Sequence, residues 1–191
     1  MDRSEIESAL EELSEVLNER GVNARIYVVG GAAMSLAFSS RYSSEDVDVD
    51  EDPTDDVISV AREIAHRRGL RKDWLNLSAK QFIPAFKDPE WRPVSRVGNV
   101  EIVAADERAM LAMKMRASRP SRDFEDIKFL LHVCGISRES DAVSLYNEYF
   151  PDDPLPKRAF PLLRAALPEQ KINDVARPRR RSGQSGARRH Q

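Results

Sequence analysis

Three aspartates alternate with two valines over Asp46-Val47-Asp48-Val49-Asp50, and this short run constrains the fold more tightly than any other part of the chain. In a strand, successive side chains point to opposite faces, so Asp46, Asp48 and Asp50 share one face while Val47 and Val49 pack on the other. Same-face neighbours lie roughly 7 Å apart. Carboxylates at that spacing repel one another when alone and can share one or two cations. The arrangement is costly for a purely structural strand and suits holding Mg²⁺ against a nucleoside triphosphate.

Upstream, the apolar residues Ile26, Val28 and Val29 end in the pair Gly30-Gly31, followed by a helix-compatible segment from Ala32 to Phe38. Glycine there lets a phosphate approach the backbone, and a helix start offers free N–H groups and a positive dipole end. Between this segment and the acidic run lies Arg41-Tyr42-Ser43-Ser44-Glu45, whose serine hydroxyls are placed to donate to a phosphate or a neighbouring carboxylate. A Gly-Gly turn by itself is an ordinary tight turn. The aspartates that follow give it chemical meaning.

The remaining pattern is helical and strand-like in turn. Ile6, Ala9, Leu10, Leu13, Val16 and Leu17 fall at helical spacing within Ser4 to Arg20, with Ser4 and Glu7 as a capping box and Gly21 as the stop. Arg25 to Val29 reads as a buried strand. Pro53 closes the acidic strand, and Thr54 caps a helix from Asp55 to Arg68 with Ile58, Ala61, Ile64 and Ala65 inward. The proline-interrupted stretch Leu70 to Val94 reads as two short strands and a loop, and Val97 to Ala104 as a further strand. Asp106 caps a helix carrying Met110, Leu111, Met113 and Lys114. Beyond the turn Ser118 to Ser121, a helix runs to about Cys134, then others over Glu139 to Phe150 and Leu155 to Leu167. The order α-β-α-β-α-β-β-β, then helices alone, indicates an α/β (α+β) protein: a small mixed sheet with flanking helices and a helical C-terminal part. The expected divisions are 1–105, 106–170 and a basic tail over 171–191.

Composition narrows the class. Hydrophobic residues make up 41% and charged residues 32%, as in globular proteins, and no apolar run approaches the roughly 18 residues of a membrane span. The opening segment MDRSEIE has acids and no apolar core, so a cytoplasmic protein without a secretory signal is expected. Cys134 is the single cysteine, which excludes an internal disulfide and a cysteine-based zinc site and leaves it a small core residue. Six arginines and no acid lie between Arg177 and Gln191. A basic tail on an acidic body suits a nucleic acid or another polyanion, or is simply a solvated end.

At these residues a resemblance appears. The pattern strand-Gly-Gly, helix, Arg-x-Ser-x-x-Asp-h-Asp-h resembles the signature of the DNA polymerase β-type nucleotidyltransferase fold. The later segment VEIVAADERAMLAMKMRASRPSRDFEDI is similar to the second half of AbiEii/AbiGii-type and Men-type toxin nucleotidyltransferases, in which a helix lysine precedes Arg-Asp-x-x-Asp. Together the two motifs run from about Ile26 to Leu131. The resemblance implies that Gly30, Gly31 and Ser43 or Ser44 cradle the triphosphate, that Asp46 and Asp48 bind Mg²⁺ or Mn²⁺, and that Lys114 contacts the nucleotide phosphates. Asp123 or Asp126 would complete the site, and Glu101 is the candidate for a third metal carboxylate on a later strand. It further implies an NTP substrate, the 3′ end of tRNA as acceptor, and an antitoxin encoded alongside. A protein hydroxyl or small molecule as acceptor, or binding without turnover on the same fold, are the alternatives.

General chemistry supports the division of roles, because phosphoryl-type transfer asks a protein mainly to position groups and neutralise charge. Mg²⁺ prefers one or two carboxylates plus substrate phosphates to an all-protein cage. Asp50 lies farther toward the strand end. Plainer readings stand beside these: a solvated acidic edge for Glu45 to Asp56, an exposed helix lysine for Lys114, a first-turn acid for Asp123, and a surface pair for Asp126. A calcium loop starting at Asp46 fails, with Glu51 where glycine is needed and Val57 where glutamate is needed. His66, His132 and His190 lack metal-ligand spacing, and Trp74 and Trp91 read as packing anchors.

Overall fold

A computed structural model of the chain describes residues 1–38, 43–44, 46–50 and 54–168, with Asp50 described in its backbone alone. Arg41, Glu45, Pro53 and the basic tail with His190 lie outside the described residues. The protein is a mixed α/β fold whose elements follow the expected order. Helix α1 (Arg3–Glu19) leads into β1 (Ala24–Val29), α2 (Gly30–Phe38), β2 (Val47–Asp50), α3 (Asp55–Arg68) and β3 (Leu75–Asn76). A 3₁₀ turn (Lys80–Phe82) then precedes β4 (Trp91–Val97) and β5 (Val100–Ala105), and α4 (Glu107–Ala117), α5 (Pro120–Val133), α6 (Glu139–Tyr149) and α7 (Ala159–Ala166) complete the chain.

The strands form one sheet in the order β3-β2-β1-β5-β4. β1 runs parallel to β5 and antiparallel to β2, β2 runs parallel to β3 through the α3 crossover, and β4 closes the other edge antiparallel to β5. Ile26, Val28, Val47, Val49, Ile102 and Ala104 occupy one face and are buried. Each valine or isoleucine so buried contributes roughly 1.5–3 kcal/mol. The opposite face carries Arg25, Tyr27, Val29, Asp48, Glu101, Val103 and Ala105, and the registers Val29↔Asp48 and Val28↔Ala104 set Asp48, Val29 and Ala105 in one row across it.

Several expectations shift in register. Helix α1 is capped by Asp2, which accepts from the Glu5 amide at 2.9 Å while Glu5 accepts from the Asp2 amide at 2.8 Å. Ser4 and Glu7 have the same spacing, but Glu7 accepts from Arg3 instead, at 2.7 Å. In α3 the buried residues are Val57, Val60, Ala61, Ile64 and Ala65, a full helical stripe that leaves Ile58 at its margin. The segment Val97 to Ala104 is not one strand. Val97 pairs with Val100, so Gly98-Asn99 is a two-residue hairpin turn, with Gly98 at φ 55°. Helix α7 begins at Ala159 and not at Leu155, because a residue before proline, here Pro156, is disfavoured in helical geometry. Cys134 packs against the core but remains partly exposed at the end of α5.

Trp74 is almost fully buried, and its indole N–H donates to the Ala61 carbonyl at 2.8 Å. Trp91 packs edge-to-face on Tyr27 at 4.8 Å. Among the described residues, no helix is long and apolar enough to cross a membrane.

Candidate functional site

The acidic strand, the glycine pair and the α4–α5 turn meet at a cavity of about 530 Å³. Its lining includes Gly30, Gly31, Ser43, Ser44, Asp46, Asp48, Lys114, Asp123 and Asp126, so residues far apart in sequence share one space. The volume lies within the roughly 300–1,000 Å³ of small-molecule sites. Val47 and Val49, almost without exposure, anchor β2 from below and turn Asp48 toward the cavity. Asp46 sits just before the strand and accepts a hydrogen bond from the Asn76 side chain at 3.1 Å.

The glycines leave room for two neighbouring side chains. A Cβ on Gly30 would lie 2.6 Å from Asp48 Oδ2, and one on Gly31 would lie 2.8 Å from Ser44 Oγ. The missing side chains let the Asp48 carboxylate and the Ser44 hydroxyl settle onto the start of α2. Gly30 also takes φ 68°, a left-handed conformation costly for other residues. Ser43 and Ser44 both line the cavity, and Ser44 is the one seated over Gly31. The Ser44 amide donates to the Met1 carbonyl at 2.9 Å, fixing this segment.

Asp48 carries the clearest electrostatic signature. Its carboxyl is pushed up to about 6, first by burial and then by the neighbouring Asp46 charge, against the Ala79 amide and the charges of Arg119 and Lys114. Asp48 Oδ1 is buried without a hydrogen-bond partner. A buried carboxylate oxygen left unpaired beside a second acid costs free energy in the protein alone. Among the described residues, no cluster of three or more His, Cys, Asp or Glu side chains could hold a metal ion. Asp46 and Asp48 are a pair, and a pair completed by phosphate oxygens is what Mg²⁺ accepts. The donor set therefore fits that ion.

Lys114, which also lines the cavity, is buried, with Nζ 2.6 Å from Asp126 Oδ2 and 3.2 Å from Asp123 Oδ1. Helix α4 ends at Ser118, whose φ of 42° turns the chain sharply into α5. That turn places Arg119 against Asp123. Asp123 has no exposed surface and accepts from the Arg119 amide at 2.8 Å, Nε at 2.9 Å and Nη2 at 3.0 Å, as well as from Lys114. Burial alone would raise its pKa, but the Arg119 hydrogen bonds and the Lys114 charge hold it below the usual carboxylate range. Asp123 thus organises the turn, while Asp126 is engaged closely by Lys114.

Glu101 does not belong to this group. It lies on the same sheet face as Asp48 but beside Arg25, four residues before Val29 along β1, roughly 13 Å at strand rise. Its carboxylate pairs with Arg25 at 3.1 Å and Arg96 at 3.6 Å. The row through Asp48 instead carries Val29, Ala105 and Trp91, so among the described residues the sheet supplies no third carboxylate there. The side chain of Asp50 lies outside the described residues.

Sequence reasoning missed Arg119, Phe82 and the methionine wall of Met34, Met110 and Met113. A signal existed for Arg119: it stands four residues before Asp123 and directly before a proline at the first helical position. Phe82 gave none, since only the β3–β4 connection brings the 3₁₀ turn against α4. Compared with family models, with curated proteins and with solved structures, the chain finds no match.

Proposed function

We propose that this protein is a Mg²⁺-dependent nucleotidyltransferase that moves a nucleoside monophosphate from a nucleoside triphosphate onto a hydroxyl acceptor. In that reaction the acceptor oxygen bonds to the α-phosphorus, the bond from that phosphorus to the bridging oxygen breaks, and pyrophosphate leaves. The observation that carries the reading is the convergence of Asp46, Asp48, Ser44 and Lys114 around the Gly30-Gly31 helix start in one cavity.

Each side chain has a role suited to its chemistry. Asp46 and Asp48 would hold the divalent ion, with the unpaired Asp48 Oδ1 as a ligand. When bound, that ion neutralises phosphate charge and aligns the attacking and leaving oxygens. The amides at the start of α2 and the Ser44 hydroxyl face the triphosphate as hydrogen-bond donors. Lys114, buried yet balanced by Asp123 and Asp126, offers a fixed positive charge to the phosphates. The resemblance of the two motifs extends the proposal to the 3′ end of tRNA as acceptor and to action as the toxin of a toxin–antitoxin pair.

The test is incubation with each α-labelled triphosphate, Mg²⁺ and total tRNA. Label passing to ribonuclease-sensitive material with the wild type, and not with Asp46→Ala, supports the reading. Label that never transfers, or transfers equally with Asp46→Ala, defeats it. Label in protease-sensitive material moves the acceptor from RNA to protein.

A further inference from the structure

We propose that Arg119 reads the length of the phosphate chain, making the cavity selective for a nucleoside triphosphate over the corresponding monophosphate. The inference rests on the nucleotidyltransferase reading and adds a specificity residue to it.

Arg119 differs from an ordinary surface arginine in how it is held. Asp123 takes its backbone amide and two of its guanidinium nitrogens, Nε and Nη2, at 2.8–3.0 Å. Such two-point pairing fixes the plane of the guanidinium, so little side-chain entropy remains to be lost when a ligand arrives. The group also lies 6.0 Å over the Phe82 ring, which restrains it from another side. Its side chain nevertheless keeps 45% of its surface exposed and lines the cavity, while its carboxylate partner is wholly buried. A structural ion pair does not need this asymmetry. A preorganised donor for an anion does: the buried acid holds and orients, and the exposed part of the guanidinium faces the ligand.

Position says which anion. Arg119 and Lys114, brought in by α4 and the α4–α5 turn, line the same cavity as Asp46 and Asp48. A triphosphate held at the carboxylates through part of its chain has further phosphates for these cations to meet. A monophosphate has none to offer them. Asp123 is then a positioning residue that acts through Arg119.

The test measures equilibrium binding of a fluorescent nucleoside triphosphate and the matching monophosphate in the presence of Mg²⁺, with no acceptor added. Wild type is expected to prefer the triphosphate. Arg119→Ala should weaken triphosphate binding about tenfold to a hundredfold, the scale of a lost charged hydrogen bond, and leave monophosphate binding within about threefold on the same scale. Arg119→Lys, which keeps the charge but not the fork, should fall between, and serves alone if the alanine variant does not fold. Asp123→Asn, folded as judged by circular dichroism, should lower the same preference. An unchanged preference in the Arg119 variants overturns the inference while leaving the proposed function intact. Wild-type protein that binds no triphosphate overturns both.

Discussion

A Cβ on Gly30 would meet Asp48 Oδ2 at 2.6 Å and one on Gly31 would meet Ser44 Oγ at 2.8 Å, but the two collisions differ in what can give way. The Ser44 hydroxyl can rotate, whereas the Asp48 carboxylate is held in a half-buried site and Gly30 itself sits at φ 68°. Gly30→Ala should therefore cost at least about 1–2 kcal/mol from the backbone alone and displace Asp48, while Gly31→Ala should cost less, since the Ser44 hydroxyl can rotate and only its Cβ, 3.3 Å away, must give slightly; denaturant titration of both variants checks this. Asp48 supplies a second prediction. Its carboxyl lies at about 6 against an ordinary 3.8, raised by burial and then by Asp46. The folded state thus holds that proton more tightly than the unfolded state, so the cation-free protein should lose stability as pH rises through this interval. The loss is about 2–3 kcal/mol after allowance for partial solvent access. Asp48→Asn should flatten the profile, and added Mg²⁺ should restore stability above about pH 6 in the wild type alone. Asp123 has the opposite sign, contributing stability that is lost only as pH falls through its lowered value.

Helix α4 is the element that delivers Lys114, and Asp106 holds its start. The Asp106 side chain accepts from the amides of Arg108 at 2.8 Å and Ala109 at 3.1 Å, and also from the Glu90 amide at 2.7 Å. One buried carboxylate therefore caps the helix and ties it to the residue just before β4. Asp106→Ala should destabilise the protein by about 1–2 kcal/mol for the cap, plus the cost of the stranded Glu90 amide, measured as a lowered denaturant midpoint. Asp106, Thr54 and the aspartate alternation were legible in the sequence because each is a local signal with a local cause. The hairpin at Gly98-Asn99 was equally local, yet the flanking valines read as one continuous strand. The turn from Ser118 to Ser121 was legible too, but not the positive φ of Ser118, which is imposed by packing of α4 against α5 and not by the preference of a serine.

Across the whole molecule, strand register decides which acids meet. The expected mixed α/β order, with strands before residue 106 and helices after, agrees with the elements observed. Alternation put Asp46 and Asp48 on one face, and both line the cavity although Asp46 stands just before the strand; it could not say that Glu101 stands far along the neighbouring strands, because pairing offset between β1 and β5 is a tertiary property. The same limit hid Phe82 and the methionine wall. What the assembled molecule offers is a cavity lined by a carboxylate pair and by Lys114 and Arg119. The central claim is that this space binds a divalent ion and a triphosphate jointly. Electron paramagnetic resonance of Mn²⁺ titrated into the protein, with and without a nucleoside triphosphate, measures this directly. Bound Mn²⁺ that requires both the triphosphate and an intact Asp48, and is lost in Asp48→Ala, is the predicted result; Mn²⁺–triphosphate binding that Asp48→Ala leaves unchanged, or that never occurs, would contradict it.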